Sequence, residues 1–178
     1  MIALALLACS GDEPLPQLAE VPAFTLQDQT GATVTRDTLL GKVWVADFIF
    51  TTCPDICPVL SAHMAEVQAR YAGNDAVRLV SLSVDPVTDT PPVLATYAAR
   101  FGATHPTWLF LTGDIEEMKR VVVGGFKMLM ERAVAAETIL HGTRFVVVDK
   151  KGTIRAYPDP KEEGKKELYA AVDALLKE

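Results

Sequence analysis

The sequence predicts an α/β fold with a mostly parallel central sheet and helices on both faces. Apolar runs of strand length alternate with amphipathic runs of helical spacing, the arrangement typical of strand–helix–strand units. One strand, at residues 43–50, is apolar almost throughout, as expected of a strand covered on both faces. The chain has 178 residues, 49% apolar and 22% charged, which suits one globular domain.

The individual elements follow from their local patterns. Residues 24–26 and 33–35 flank the turn-forming sequence 28–31, which predicts an N-terminal hairpin. After the strand at 43–50, the apolar residues of 58–71 recur at helical spacing. The same criteria predict, in chain order, a strand at 77–84, a helix at 92–101, a strand at 107–111, a helix that is capped by Thr112 or Asp114 and runs to about 123, a hairpin of strands 145–148 and 153–156, and a helix at 162–177. This order fits a thioredoxin-like sandwich over 21–178 with an added N-terminal hairpin.

Asp47 interrupts the apolar strand at 43–50. A carboxylate in such a place must find a partner or shift its pKa upward. We expect Asp47 to have a structural, hydrogen-bonded role.

Two cysteines four residues apart, Cys53 and Cys57, follow this strand, and a proline follows each of them. The pair is either a redox couple or half of a soft-metal site. Because proline favours the first position of a helix, we expect Pro58 there and Cys57 at the N-cap, with Cys53 one turn upstream. The helix dipole would then lower the pKa of both thiols.

The choice between redox and metal chemistry depends on a third ligand. Two thiolates with three residues between them can close on Cu(I) or form a disulfide. Of the three histidines, His63 lies on the predicted helix and His105 in a loop, where neither is expected to bind metal. His141 precedes a core strand and can reach the same sheet edge as the cysteines. The methionine-rich stretch 127–130 offers further soft ligands, although methionine is more often a packing residue or part of a partner surface.

Charge and the N-terminus bear on partners and location. The net charge of −6, with no basic run longer than two lysines, argues against nucleic-acid binding. Residues 2–8 are wholly apolar, too short to span a bilayer but similar to the apolar region of a secretion signal. The sequence 6–9 looks like a bacterial lipobox, in which Cys9 would be acylated. We therefore expect a signal and tether over 1–20 and an exported lipoprotein, membrane-anchored and facing the periplasm or cell exterior.

The sequence resembles the Sco/SenC family of copper-binding assembly proteins over roughly residues 22–176. The resemblance depends on several stretches that occur in the right order: 48–58, which holds both cysteines; 81–86 with 89–91; 108–113; and 141–149.

The resemblance implies a ligand set and a function. It implies that Cys53, Cys57 and His141 bind copper, as Cu(I) and Cu(II), and that Asp85 lies near the metal loop or docks a partner. Gly142 departs from the serine or threonine common in the family. The implied function is a copper chaperone for the dinuclear copper centre of cytochrome c oxidase subunit II. The resemblance also suggests other periplasmic copper chaperones or thioredoxin-like reductases as partners.

An enzymatic alternative uses the same cysteines. A thiol–disulfide reductase would keep the cysteines of the recipient copper site reduced, with one of Cys53 and Cys57 as the attacking thiolate and the other as its resolving partner. General oxidoreductases of this fold carry a cis-proline before the strand that faces the cysteines. The present chain has no proline between Pro106 and Pro158, which counts against a general oxidoreductase.

Overall fold

A computed structural model describes residues 14–132 and 139–178. Its core is a six-stranded sheet of strand order β1-β10-β9-β4-β5-β6, accompanied by two separate hairpins, β2-β3 and β7-β8. The strands are β1 (Ala19–Glu20), β2 (Thr25–Gln27), β3 (Thr33–Thr35), β4 (Val43–Ile49), β5 (Val77–Ser83), β6 (Trp108–Leu111), β7 (Met130–Arg132), β8 (Ile139–His141), β9 (Val146–Val148) and β10 (Thr153–Ala156). The helices are α1 (Ile56–Arg70), α2 (Pro91–Arg100), α3 (Ile115–Lys119) and α4 (Glu162–Lys177). Cys9 and residues 133–138 lie outside the described residues.

The sheet is mixed rather than mostly parallel. Strand β4 is parallel to β5, and β5 to β6. Strand β9 is antiparallel to β4, and β10 and β1 continue the antiparallel half. The predicted hairpin of β9 and β10 lies beside β4 with β9 antiparallel to it, and β1 extends this half, so three of the five neighbouring strand pairs in the described sheet are antiparallel.

The two faces of β4 carry different helical layers. Phe126, just after a π-helical segment that follows α3, packs edge-on against Trp44 and Phe48 of β4. On the other face, Tyr97 of α2 packs against Phe110 of β6. Every residue of β4 is buried, as the continuous apolar pattern predicted. This burial fixes the position of the loop that leaves the carboxyl end of β4, where both cysteines lie.

The predicted N-terminal hairpin is present as β2 and β3, and Asp114 caps α3 by accepting the backbone N–H groups of Glu116 and Glu117. The segment before β1 contacts the domain: buried Arg155 donates to the carbonyl oxygens of Leu15 and Pro16. Within the described ranges, none of the helices combines the length and apolar character that a membrane-spanning helix needs.

Candidate metal centre

A buried carboxylate holds the loop that carries the cysteines. Asp89 accepts the hydroxyl of Thr51 at 2.5 Å and the hydroxyl of Ser83 at 2.6 Å. It also accepts the backbone N–H of Thr51 at 3.2 Å. Because Thr51 lies two residues before Cys53, these bonds tie the loop to the end of β5 and fix the direction in which it approaches α1.

The cysteines lie at the start of α1, one turn apart. Helix α1 begins at Ile56 with Asp55 as its N-cap, so the prediction of Cys57 at the N-cap was wrong by two positions. The backbone N–H of Cys57 donates to the Sγ of Cys53 at 3.5 Å. Both residues are buried, Cys53 with 9% and Cys57 with 0% of its surface exposed, and both are free thiols.

His141 of the β7–β8 hairpin completes the group. It ends β8, and its Nε2 lies 3.4 Å from the Sγ of Cys57. Its Nδ1 lies 3.0 Å from the carbonyl oxygen of Gly142, which can only accept. The Nδ1–H therefore donates there, and the lone pair of the neutral ring is left on Nε2, facing the sulfurs. The ring of Phe50 packs edge-on against the imidazole with centroids 5.5 Å apart.

The three ligand atoms all lie within 4.8 Å of one another. The other histidines are elsewhere, as predicted: His105 pairs with Asp28 at 3.0 Å, and His63 packs beside Phe145. Asp85 is buried at the end of β5, where its backbone carbonyl accepts the N–H groups of Thr88 and Asp89. It is not part of the three-residue group, and its role near the metal loop stays a prediction.

The pKa of Cys57 is raised well above its usual range, contrary to the expectation of an activated thiolate. Burial is the main cause, followed by the hydrogen bond with Cys53 and the negative charge of Asp47. Burial also lowers the pKa of His141, partly offset by the hydrogen bond to Gly142. At neutral pH Cys57 is therefore a neutral thiol beside the neutral imidazole of His141, and desolvation is the main cause of both shifts.

Asp47 has no hydrogen-bond partner for either carboxylate oxygen among the described residues, so its predicted hydrogen-bonded role was wrong. Ser81, its neighbour on β5, accepts the indole N–H of Trp108 at 2.9 Å. The Ser81 hydroxyl lies close enough to offset part of the pKa shift without making a regular hydrogen bond to Asp47. Complete burial raises the pKa of Asp47 to about 7.

Two thiols and one imidazole suit a soft metal ion. Cu(I) prefers thiolate sulfur, and imidazole nitrogen also suits Cu(II). Each thiol must lose its proton to bind, so metal competes with protons at Cys57. A pair of adjacent thiols can also be oxidised to a disulfide.

The fold and this group define a thioredoxin-like domain with a Cys₂His cluster capable of binding metal. The chain belongs to the SCO1/SenC family, whose family model matches residues 12–177.

Several solved structures are similar to this chain, and three of them bear on the site. A SCO1/SenC family lipoprotein from Bacillus anthracis str. Ames has a TM-score of 0.81 and 28% identity, covering 89% of this chain and 95% of that one. BsSco, described as a Sco-family cytochrome c oxidase assembly protein with a disulfide switch, has a TM-score of 0.79 and 33% identity, with coverages of 92% and 98%. Copper-bound ScoI from Bradyrhizobium japonicum has a TM-score of 0.74 and 28% identity, with coverages of 88% and 98%. These matches confirm the predicted family and the thioredoxin-like fold.

Two features of the site did not follow from sequence patterns. In the sequence, Asp89 is only part of a stretch shared with the family. Its hydrogen bonds to Thr51 and Ser83 form because β4 and β5 end side by side in the sheet. The hairpin of β7 and β8 was not predicted either. Its strands are three residues each, too short to produce a clear alternation of apolar and polar residues.

Proposed function

We propose that this protein is a copper chaperone that binds Cu(I) and Cu(II) through Cys53, Cys57 and His141. The supporting observation is the convergence of their three ligand atoms within 4.8 Å, from segments far apart in sequence. Copper-bound ScoI has the same fold, which adds support from a relative. The proposed recipient is the dinuclear copper centre of cytochrome c oxidase subunit II, in keeping with the assembly role ascribed to BsSco.

The geometry suits a cargo site better than a permanent one. Three ligands leave a copper ion with an open position that a recipient's ligand can occupy. The hydrogen bond from Nδ1 to Gly142 keeps Nε2 directed at the sulfurs before copper arrives. Ligand exchange at the open position then moves the ion without a change in its oxidation state.

The imidazole is expected to matter most for Cu(II). His141→Ala should lower Cu(II) affinity by at least about 100-fold. Loss of a residue that only hydrogen-bonds to a metal ligand lowers metal affinity about 10–100-fold, and loss of a direct ligand should lower it more. Cu(I) affinity should fall less, because two thiolates remain. Competition titrations against chelators measure both values, with His63→Ala as the control because His63 lies on α1 outside the group.

A thiol–disulfide reductase is the second candidate, supported by the adjacent free thiols and by the disulfide switch ascribed to BsSco. The raised pKa of Cys57 argues against Cys57 as the attacking residue, because the thiolate is the nucleophile. Unchanged copper affinity in His141→Ala, together with rapid reduction of a disulfide-bonded copper-site peptide, would replace the chaperone proposal with this one.

We also propose that the protein is exported and anchored to the membrane by a lipid on Cys9. The apolar residues 2–8 and the following cysteine form the lipobox-like sequence, and the relative from Bacillus anthracis is a lipoprotein. Cys9→Ser should abolish labelling by a radioactive fatty acid and release the protein from membranes. Labelling that persists in Cys9→Ser would contradict the proposal, and Cys53→Ser serves as the matched cysteine control.

A further inference from the structure

Two methionines lie beside the segment that carries His141. Met130 lies directly opposite His141 in the antiparallel pair of β7 and β8, which places both side chains on the same face of that hairpin. Such paired residues have Cβ atoms about 4.5–5.5 Å apart. Met128 lies against Gly142, the residue that follows His141. A Cβ added at Gly142 would overlap the Sδ of Met128 and lie 3.0 Å from the Cβ of Met128.

The missing side chain at Gly142 provides the space for this approach. The φ angle of Gly142 is outside the left-handed region, so the backbone does not require glycine there. A serine or threonine at this position would push the Met128 thioether away from the residue next to His141. The departure from the family pattern at Gly142 and the methionine at 128 are therefore parts of one local arrangement.

An open groove on the protein surface is lined by both His141 and Met128. The groove has a volume of about 770 Å³, and Leu129 and Thr143 also line it. Neither cysteine is among the residues that line it, and both cysteines are buried. Met130 lines a neighbouring groove instead, together with Asp85 and Ile139. An ion that leaves the cysteine pair towards the groove beside His141 therefore passes His141 and meets Met128.

We propose that the thioethers of Met128 and Met130 form, with His141, a second Cu(I) position beside the cysteine pair. This inference rests on the proposed copper function. When a cysteine sulfur leaves the ion, a Cu–Sδ bond forms as the Cu–Sγ bond breaks, and the released thiolate takes a proton from water. Copper stays Cu(I), and no electron moves. Thioether is a soft, neutral ligand, so the position favours Cu(I) over Cu(II).

The test compares methionine variants in two backgrounds. Leucine replaces methionine at nearly equal volume, so Met128→Leu/Met130→Leu should fold normally. In a Cys57→Ser background, the two methionine changes together should lower the residual Cu(I) affinity by at least about tenfold. This is the lower end of the loss expected when residues around a metal site are removed. With both cysteines present, Cu(I) affinity should change little, but transfer to a chelator should slow by about tenfold. Gly142→Ala, which displaces Met128 without removing its sulfur, should slow transfer in the same direction.

The control is Met118→Leu, because Met118 is fully buried in α3 and is not among the residues around the copper ligands. It should leave both measurements unchanged, and Cu(II) affinity should be the same in all methionine variants. Equal residual affinity and equal transfer rates across the methionine variants would reduce Met128 and Met130 to packing residues and overturn this inference alone. Failure of the unmodified protein to bind Cu(I) would overturn the proposed function as well.

Discussion

Cys57→Ser is expected to lower the affinity for Cu(I) on the order of 1,000-fold, or about 4 kcal/mol. A serine hydroxyl cannot supply the soft, anionic sulfur that Cu(I) prefers. The remaining thiol and imidazole then hold the ion with one strong ligand fewer. Competition with a chromophoric Cu(I) chelator measures the change.

The same variant tests the protonation state of the site. Because burial raises the pKa of Cys57, its thiol is protonated at neutral pH and must release a proton when copper binds. Calorimetry in buffers of different ionisation enthalpy should find one proton fewer released by Cys57→Ser than by the unmodified protein. Affinity in the unmodified protein should rise with pH for the same reason. Val59→Ser, an exposed change on the same helix, is the control. An unchanged proton count would contradict the assignment of a neutral Cys57 thiol.

Asp47→Asn is expected to stabilise the protein at alkaline pH. The pKa of Asp47 is about 7 in the folded state against an ordinary value of 3.8. Stability from this raised pKa is fully present below pH 3.8 and is lost as pH rises through about 7, because the unfolded chain ionises first. The loss amounts to about 4 kcal/mol. The amide has nearly the same shape and carries no charge, so Asp47→Asn avoids it.

Denaturant unfolding at pH 4 and pH 8 measures this effect. The free energy of unfolding of Asp47→Asn relative to the unmodified protein should rise by about 4 kcal/mol between the two pH values. Asp75→Asn, at an exposed position, should show no such change. If the free energies of unfolding of Asp47→Asn and the unmodified protein change equally with pH, burial does not raise the pKa of Asp47, and the carboxylate has a hydrogen-bonding partner after all.

The family resemblance implied the proposed ligand set before the geometry was known. Cys53 and Cys57 form a local motif whose spacing is visible in the sequence. Composition and spacing left His141 open as a ligand, and only the family stretches made it the expected one. The structure supplies the physical basis, because the imidazole lies 3.4 Å from a sulfur that is 84 residues away in sequence.

The predictions that failed concern protonation and partners. The pKa of Cys57 was expected to fall because a helix N-terminus is visible in the sequence. Burial raises it instead, and the depth of burial is not visible in the sequence. Similarly, Asp47 was expected to find a hydrogen bond, but the partners of a strand residue depend on which strand lies beside it. Ser81 fills that position and accepts the indole N–H of Trp108, and no regular hydrogen bond joins it to Asp47.

By itself, the sequence determined the order of the longer strands and helices, the N-terminal hairpin and the paired cysteines, because periodicity and turn chemistry act over a few residues. The tertiary structure alone decided the mixed sheet, the neutral state of Cys57 and the placement of Met128 and Met130 around His141. These features depend on which distant segments pack together and on how far that packing excludes water, and such contacts leave no local pattern in the chain.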